Sequence, residues 1–118
     1  MNLGRVSSAA LMLSGLAGVV TPLKVAGSLD LTPSSGRGVA ETRAGLGGTY
    51  AALGAWALCS RRPAAQTAVG VMWLGAAAAR IAALLLDDPE PDRTYWAYLA
   101  AELGFGTLAV ASGSGLLG

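Results

Sequence analysis

Ala64–Leu86 reads AAQTAVGVMWLGAAAARIAALLL; the turn DDPEPD follows at Asp87–Asp92, and then RTYWAYLAAELGFGTLAVA at Arg93–Ala111. The first stretch carries one charge, Arg80, and its segment Thr67–Ala79 has no polar face. A soluble bundle helix needs such a face. A membrane-barrel strand would be about ten residues long and would alternate apolar with polar side chains. A long run that is apolar all round, placed in hydrocarbon, satisfies its own backbone only as a helix. Pro89 and Pro91 stop a helix from continuing through the acidic turn. The stretch therefore predicts two antiparallel helices, 64–86 and 93–111, each long enough to cross a hydrocarbon core of about 30 Å.

The same pattern extends toward the N-terminus. A second run covers 40–60 and is closed by Arg61, Arg62 and Pro63. A first run covers 5–20, opened by Arg5. A secretory signal would begin in the same way, but no small-x-small cleavage site leads into a soluble domain, and the chain beyond is again apolar. Between these runs, Pro22–Leu31 (PLKVAGSLDL) has partly helical apolar spacing, with Pro22 suited to a first helical turn. It reads as a short helix lying at a membrane surface. The expected fold is all-α: one domain over 1–118, an antiparallel four-helix bundle embedded in the membrane, with an interfacial segment between helices one and two and a Gly/Ser-rich tail. Arg5, Arg61 and Arg62 fall on one side, which points to cytoplasmic termini.

Composition agrees. Of the 118 residues 53% are hydrophobic and only 13% charged, against roughly a quarter charged in a soluble domain. The net charge of +1 and the lack of a basic patch exclude nucleic acid as a partner. Histidine is absent, which removes the commonest metal ligand and general base, so neither a metal nor a cofactor is expected. The single cysteine, Cys59, permits no intrachain disulfide and reads as a small hydrophobe within an apolar run. The abundance of Ala, Gly, Leu and Arg suits a GC-rich bacterial genome, and the expected location is the bacterial inner membrane.

Lipid gives helices no hydrophobic reason to associate, so close packing through small residues must supply the attraction. Gly47, Ala51 and Gly54 share one helical face; Gly45, Gly48 and Ala52 share another. Tyr95, Trp96 and Tyr98 lie just inside the acidic turn, where amphipathic rings form an interfacial belt. Four charges are harder to place. Counted from the acidic turn at about 1.5 Å per residue, Arg80 and Glu102 lie roughly 10 and 15 Å deep on facing helices. Glu41 and Arg43 open the second helix on the same side. Each isolated charge at the bilayer centre costs at least about 2.5 kcal/mol, so the four are expected to form an inward, formally neutral cluster. Such a cluster can fix helix register or serve as a polar site for a proton, a headgroup or a small ligand.

The E-x-R of Glu41 and Arg43, the glycine pair Gly47–Gly48, the Arg80 of the third helix and the acid Glu102 of the fourth together resemble the bacterial membrane family catalogued as domain of unknown function 4345. Pro22–Gly38 matches less well. The resemblance implies a four-helix membrane protein of this size and no activity. Three roles stay open: binding of a small or lipophilic ligand at the Glu/Arg cluster, an accessory subunit of a larger membrane complex with lipid and other subunits as partners, and an intramembrane enzyme using Glu as acid or base. The enzyme ranks last, because no histidine and no nucleophile elbow support it and no catalytic residue stands out.

Overall fold

The computed structural model describes residues 3–115, and among these every regular element is helical. In chain order they are α1 (Leu3–Val20), α2 (Pro22–Ser28), α3 (Gly36–Thr42), a π-helical segment (Arg43–Gly48), α4 (Thr49–Cys59), α5 (Pro63–Leu86) and α6 (Arg93–Gly113). The end of the expected Gly/Ser-rich tail, residues 116–118, lies outside the described residues.

Three helix starts have local causes. Pro22 and Pro63 each occupy a first helical turn, where the missing N–H is no loss. Asp92 caps α6 by accepting from the Tyr95 N–H at 2.9 Å. The second helix begins earlier than expected. Gly36 and Gly38 read as turn residues, but Ser35 accepts from the Gly38 N–H at 3.1 Å, and this N-cap starts the helix at Gly36. Thr42, Gly48 and Thr49 all keep right-handed helical dihedrals. The chain therefore runs through α3, the π segment and α4 as one helical rod that ends at Cys59. The expected interfacial segment is α2. It ends in a Schellman arrangement, with Asp30 left-handed at φ 58° and the Leu31 N–H donating to the Ala26 carbonyl at 2.8 Å.

Contacts divide the chain into two compact units, one of Met1–Ser7 with Arg61–Gly118 and one of Ser8–Ser60. Within Ser8–Ser60, α1 meets the second rod backbone to backbone. A Cβ on Gly18 would lie 2.8 Å from Gly47 Cα, and one on Gly47 would lie 2.6 Å from Val19 N. Gly54 likewise faces Met12 and Ser8. The contact face is therefore Gly47/Ala51/Gly54, whereas Gly45 has nothing within 4 Å. Within the other unit, α5 and α6 form an antiparallel hairpin. A Cβ on Gly70 would lie 2.8 Å from the Gly106 carbonyl oxygen, and Gly106 packs on the Leu74 side chain.

Large and small apolar side chains are distributed unusually. The fully buried ones are mostly alanines (Ala26, Ala57, Ala65, Ala109), with Leu11 and Val69 the largest. Leu13, Leu23, Val71, Ile81, Leu85 and Trp56 are exposed. Cys59 is exposed as well, not a core hydrophobe, because it sits at the end of α4 away from the glycine contact face. Among the described residues, one helix, Pro63–Leu86, is by itself long and apolar enough to span a membrane. The α1–α2 pair meets the same criterion only jointly and is bent by 116° at Thr21. Arg37, Glu41, Arg43 and six glycines dilute the second rod, and Arg93 and Glu102 with Tyr95, Trp96 and Tyr98 dilute α6.

Candidate functional site

The α5–α6 hairpin brings Arg80 and Glu102 together. Arg80 Nε donates to both carboxylate oxygens of Glu102, at 2.8 and 3.0 Å. The side chains are 23% and 6% exposed, so this is a buried ion pair. One charge-assisted N–H is thus shared between the two oxygens of the carboxylate. It leaves neither oxygen without a donor.

Two aromatic residues complete the site. The guanidinium carbon of Arg80 lies 5.4 Å from the centre of the Tyr95 ring and 5.1 Å from that of Tyr98, within cation–π range. The Tyr95 hydroxyl also donates to the Arg80 backbone carbonyl at 2.7 Å. This tie crosses from α6 to α5 through the main chain and does not depend on the charge. Trp96 packs edge-on to Tyr95 with ring centres 6.0 Å apart, and it is 49% exposed. The three aromatics expected as a belt thus divide: Trp96 faces outward, and the two tyrosines clamp the arginine. Their spacing carries the signal, because Tyr95, Tyr98 and Glu102 recur at intervals of three and four and so share one helical face. Below them Trp73 packs against Phe105 with ring centres 5.5 Å apart, and its indole N–H is buried without an acceptor among the described residues.

The other two members of the expected cluster make different bonds. Glu41 is not inward. Its side chain is 68% exposed and pairs with Arg37 one turn earlier on α3, at 3.3 Å. The i,i+4 spacing makes that partner available locally. Arg43 is exposed and donates through Nη1 to the Val19 backbone carbonyl of α1. It opens the π segment, and the hydroxyl of Thr49, the first residue of α4, donates back to the Ala44 carbonyl of that segment at 3.0 Å across five residues. The ionic partners thus fall into an exposed pair within one helix and a buried pair between two helices.

Among the described residues no group of three or more Cys, Asp or Glu is placed to hold a metal ion. The fold and site define an all-α protein of small-residue helix contacts built around one buried Arg–Glu pair. The chain belongs to the family described as Domain of unknown function (DUF4345), whose model matches residues 3–112. No curated protein and no solved structure matches it.

Proposed function

We propose that this chain is a small multi-pass protein of the bacterial inner membrane, a four-crossing bundle, and that it serves as an accessory structural subunit of a larger membrane complex. The supporting observation for the membrane is α5. It is apolar all round, yet only 22% of its most apolar window is buried within the chain. Exposed apolar area of that extent calls for lipid or a partner. Small residues inside and large ones outside are what lipid selects, because close helix approach is the attraction left to it. Alkaline extraction of membranes tests this: the chain stays in the pellet, and release into the supernatant overturns the reading. Cys59 reports sidedness. It lies beside Arg61 and Arg62, so a membrane-impermeant maleimide labels it in inside-out vesicles and leaves it unlabelled in intact cells.

The structural role is favoured by the state of the ion pair. Arg80 satisfies both oxygens of Glu102, so the carboxylate is not presented to a substrate or a proton path. On α5, Val71, Gly75, Ala78, Ala79 and Ala82 form an exposed stripe of mostly small side chains, and a Cβ at Gly75 meets nothing within 4 Å. Gly75→Trp blocks close approach there without an internal clash. Loss of a stoichiometric partner from the detergent-solubilised variant, with unchanged melting, supports the subunit role. A monodisperse single chain for both proteins opposes it. The second reading, a small lipophilic ligand, is favoured by one observation: Tyr98, which clamps Arg80, also lines an open groove on α6 with Arg93, Thr94, Ala97 and Ala101.

A further inference from the structure

The bend between α1 and α2 opens a groove of about 300 Å³ inside the Ser8–Ser60 unit. Its apolar lining is Val20, Pro22, Leu23 and Val39. Lys24 and Arg43 also line it and supply two cations, and none of its lining residues is a carboxylate. Glu41, the nearest acid in sequence to Arg43, is held by Arg37 on α3. Arg43 is oriented by its bond to the Val19 carbonyl, and this uses one of the five guanidinium N–H donors.

We propose that this groove binds an anionic phospholipid, its phosphate between Lys24 and Arg43 and the start of an acyl chain along Val20, Leu23 and Val39. Charge complementarity selects an anion, and the apolar lining selects one that carries hydrocarbon. The groove is at the small end of ligand sites, which span about 300–1,000 Å³. It holds a headgroup and its first carbons and leaves the remainder of the lipid outside. A compact soluble anion would leave the apolar wall bare. The π segment that begins at Arg43 fits the assignment, since such insertions recur at functional sites. The inference rests on the membrane reading above for its source of lipid.

The test uses the full chain, delipidated in a nonionic detergent, with lipid adducts counted by native mass spectrometry. Phosphatidylglycerol binds at least several-fold more tightly than phosphatidylcholine. Lys24→Gln weakens phosphatidylglycerol by about fivefold, the effect of one basic side chain at an anionic surface. Val39→Trp fills the groove and weakens it with every charge retained. Arg61→Gln, a cation outside the Ser8–Ser60 unit and not part of the groove lining, leaves it unchanged. Equal binding of the two lipids overturns the proposal, as does an Arg61→Gln effect equal to that of Lys24→Gln. Displacement of phosphatidylglycerol by millimolar inorganic phosphate also overturns it, in favour of a soluble anion. Because headgroup selectivity is read in detergent, it fails or succeeds separately from alkaline extraction.

Discussion

The two compact units hold their helices together by different means. In Ser8–Ser60, α1 and the second rod meet through Gly18 and Gly47, with backbone against backbone. In the other unit, α5 and α6 also touch through small residues, but the hairpin carries in addition the Arg80–Glu102 pair, its two tyrosines and a side chain-to-backbone tie. Glycine contact is geometrically exacting and energetically diffuse, since each dispersion contact is small. An ion pair is local: it contributes little against a matched apolar replacement, yet it is severe to break from one side. Substitution should therefore damage the hairpin abruptly at two residues and the glycine-packed unit gradually along a face.

The largest expected effect is at the pair. Arg80→Ala and Glu102→Ala each remove about 3–5 kcal/mol, because each strands a buried charge. Arg80→Ala is the more severe, since the carboxylate left behind is the less exposed partner. The exchanged protein, Arg80→Glu with Glu102→Arg, regains part of the loss and not all, as the tyrosine clamp was built for an arginine on α5. Unfolding of the detergent-solubilised protein by sodium dodecyl sulfate, followed by tryptophan fluorescence, measures all three. Absence of any rescue would show that pairing is not what stabilises the hairpin.

Next in size is Gly18→Ala. Its Cβ would lie 2.8 Å from Gly47 Cα, and backbone cannot yield as a flexible side chain does. Overpacking of this kind costs about 1–3 kcal/mol. Gly45→Ala, on the open face of the same rod, should be neutral or gain up to about 1 kcal/mol from helix propensity. Equal unfolding midpoints for the two variants would remove the distinction between the faces. A smaller effect is expected at Tyr95→Phe. It deletes the hydroxyl that donates to the Arg80 carbonyl and keeps the ring, for a loss of about 1 kcal/mol.

Helix existence was legible because runs such as Ala64–Leu86 are long and uniform, and prolines mark their ends. The Arg80–Glu102 contact was legible because the turn sets the register of a hairpin, and depth counted from that turn brings the two to heights close enough for their long side chains to bridge. The start of the second helix was not, because Ser35 as N-cap outweighs two glycines, and a cap is a geometric event that composition hides. The π segment was hidden for a similar reason: it is a change of hydrogen-bond register in a sequence that already reads as helix. Glu41 was misplaced because cost in hydrocarbon alone sent it inward, while Arg37, four residues earlier, offered a partner at the surface.

Glu41 also gives the smallest expected effect, and the one that most sharpens the contrast between the pairs. Arg37–Glu41 and Arg80–Glu102 have the same chemistry, and their N···O distances are 3.3 and 2.8 Å. What separates them is water. At 85% and 68% exposure both partners of the first pair stay hydrated, so separating them costs little and removing one strands nothing. Exposed i,i+4 pairs contribute no more than about 0.5 kcal/mol, and salt screens even that. Glu41→Gln should leave the unfolding midpoint within error at physiological salt, while Glu102→Gln lowers it clearly. If the two substitutions were equally damaging, Glu41 would have to be desolvated in the folded protein, in lipid or beneath a partner. Repeating the comparison with the reconstituted and the detergent-solubilised chain, with and without any protein that copurifies, would then identify which surface covers α3.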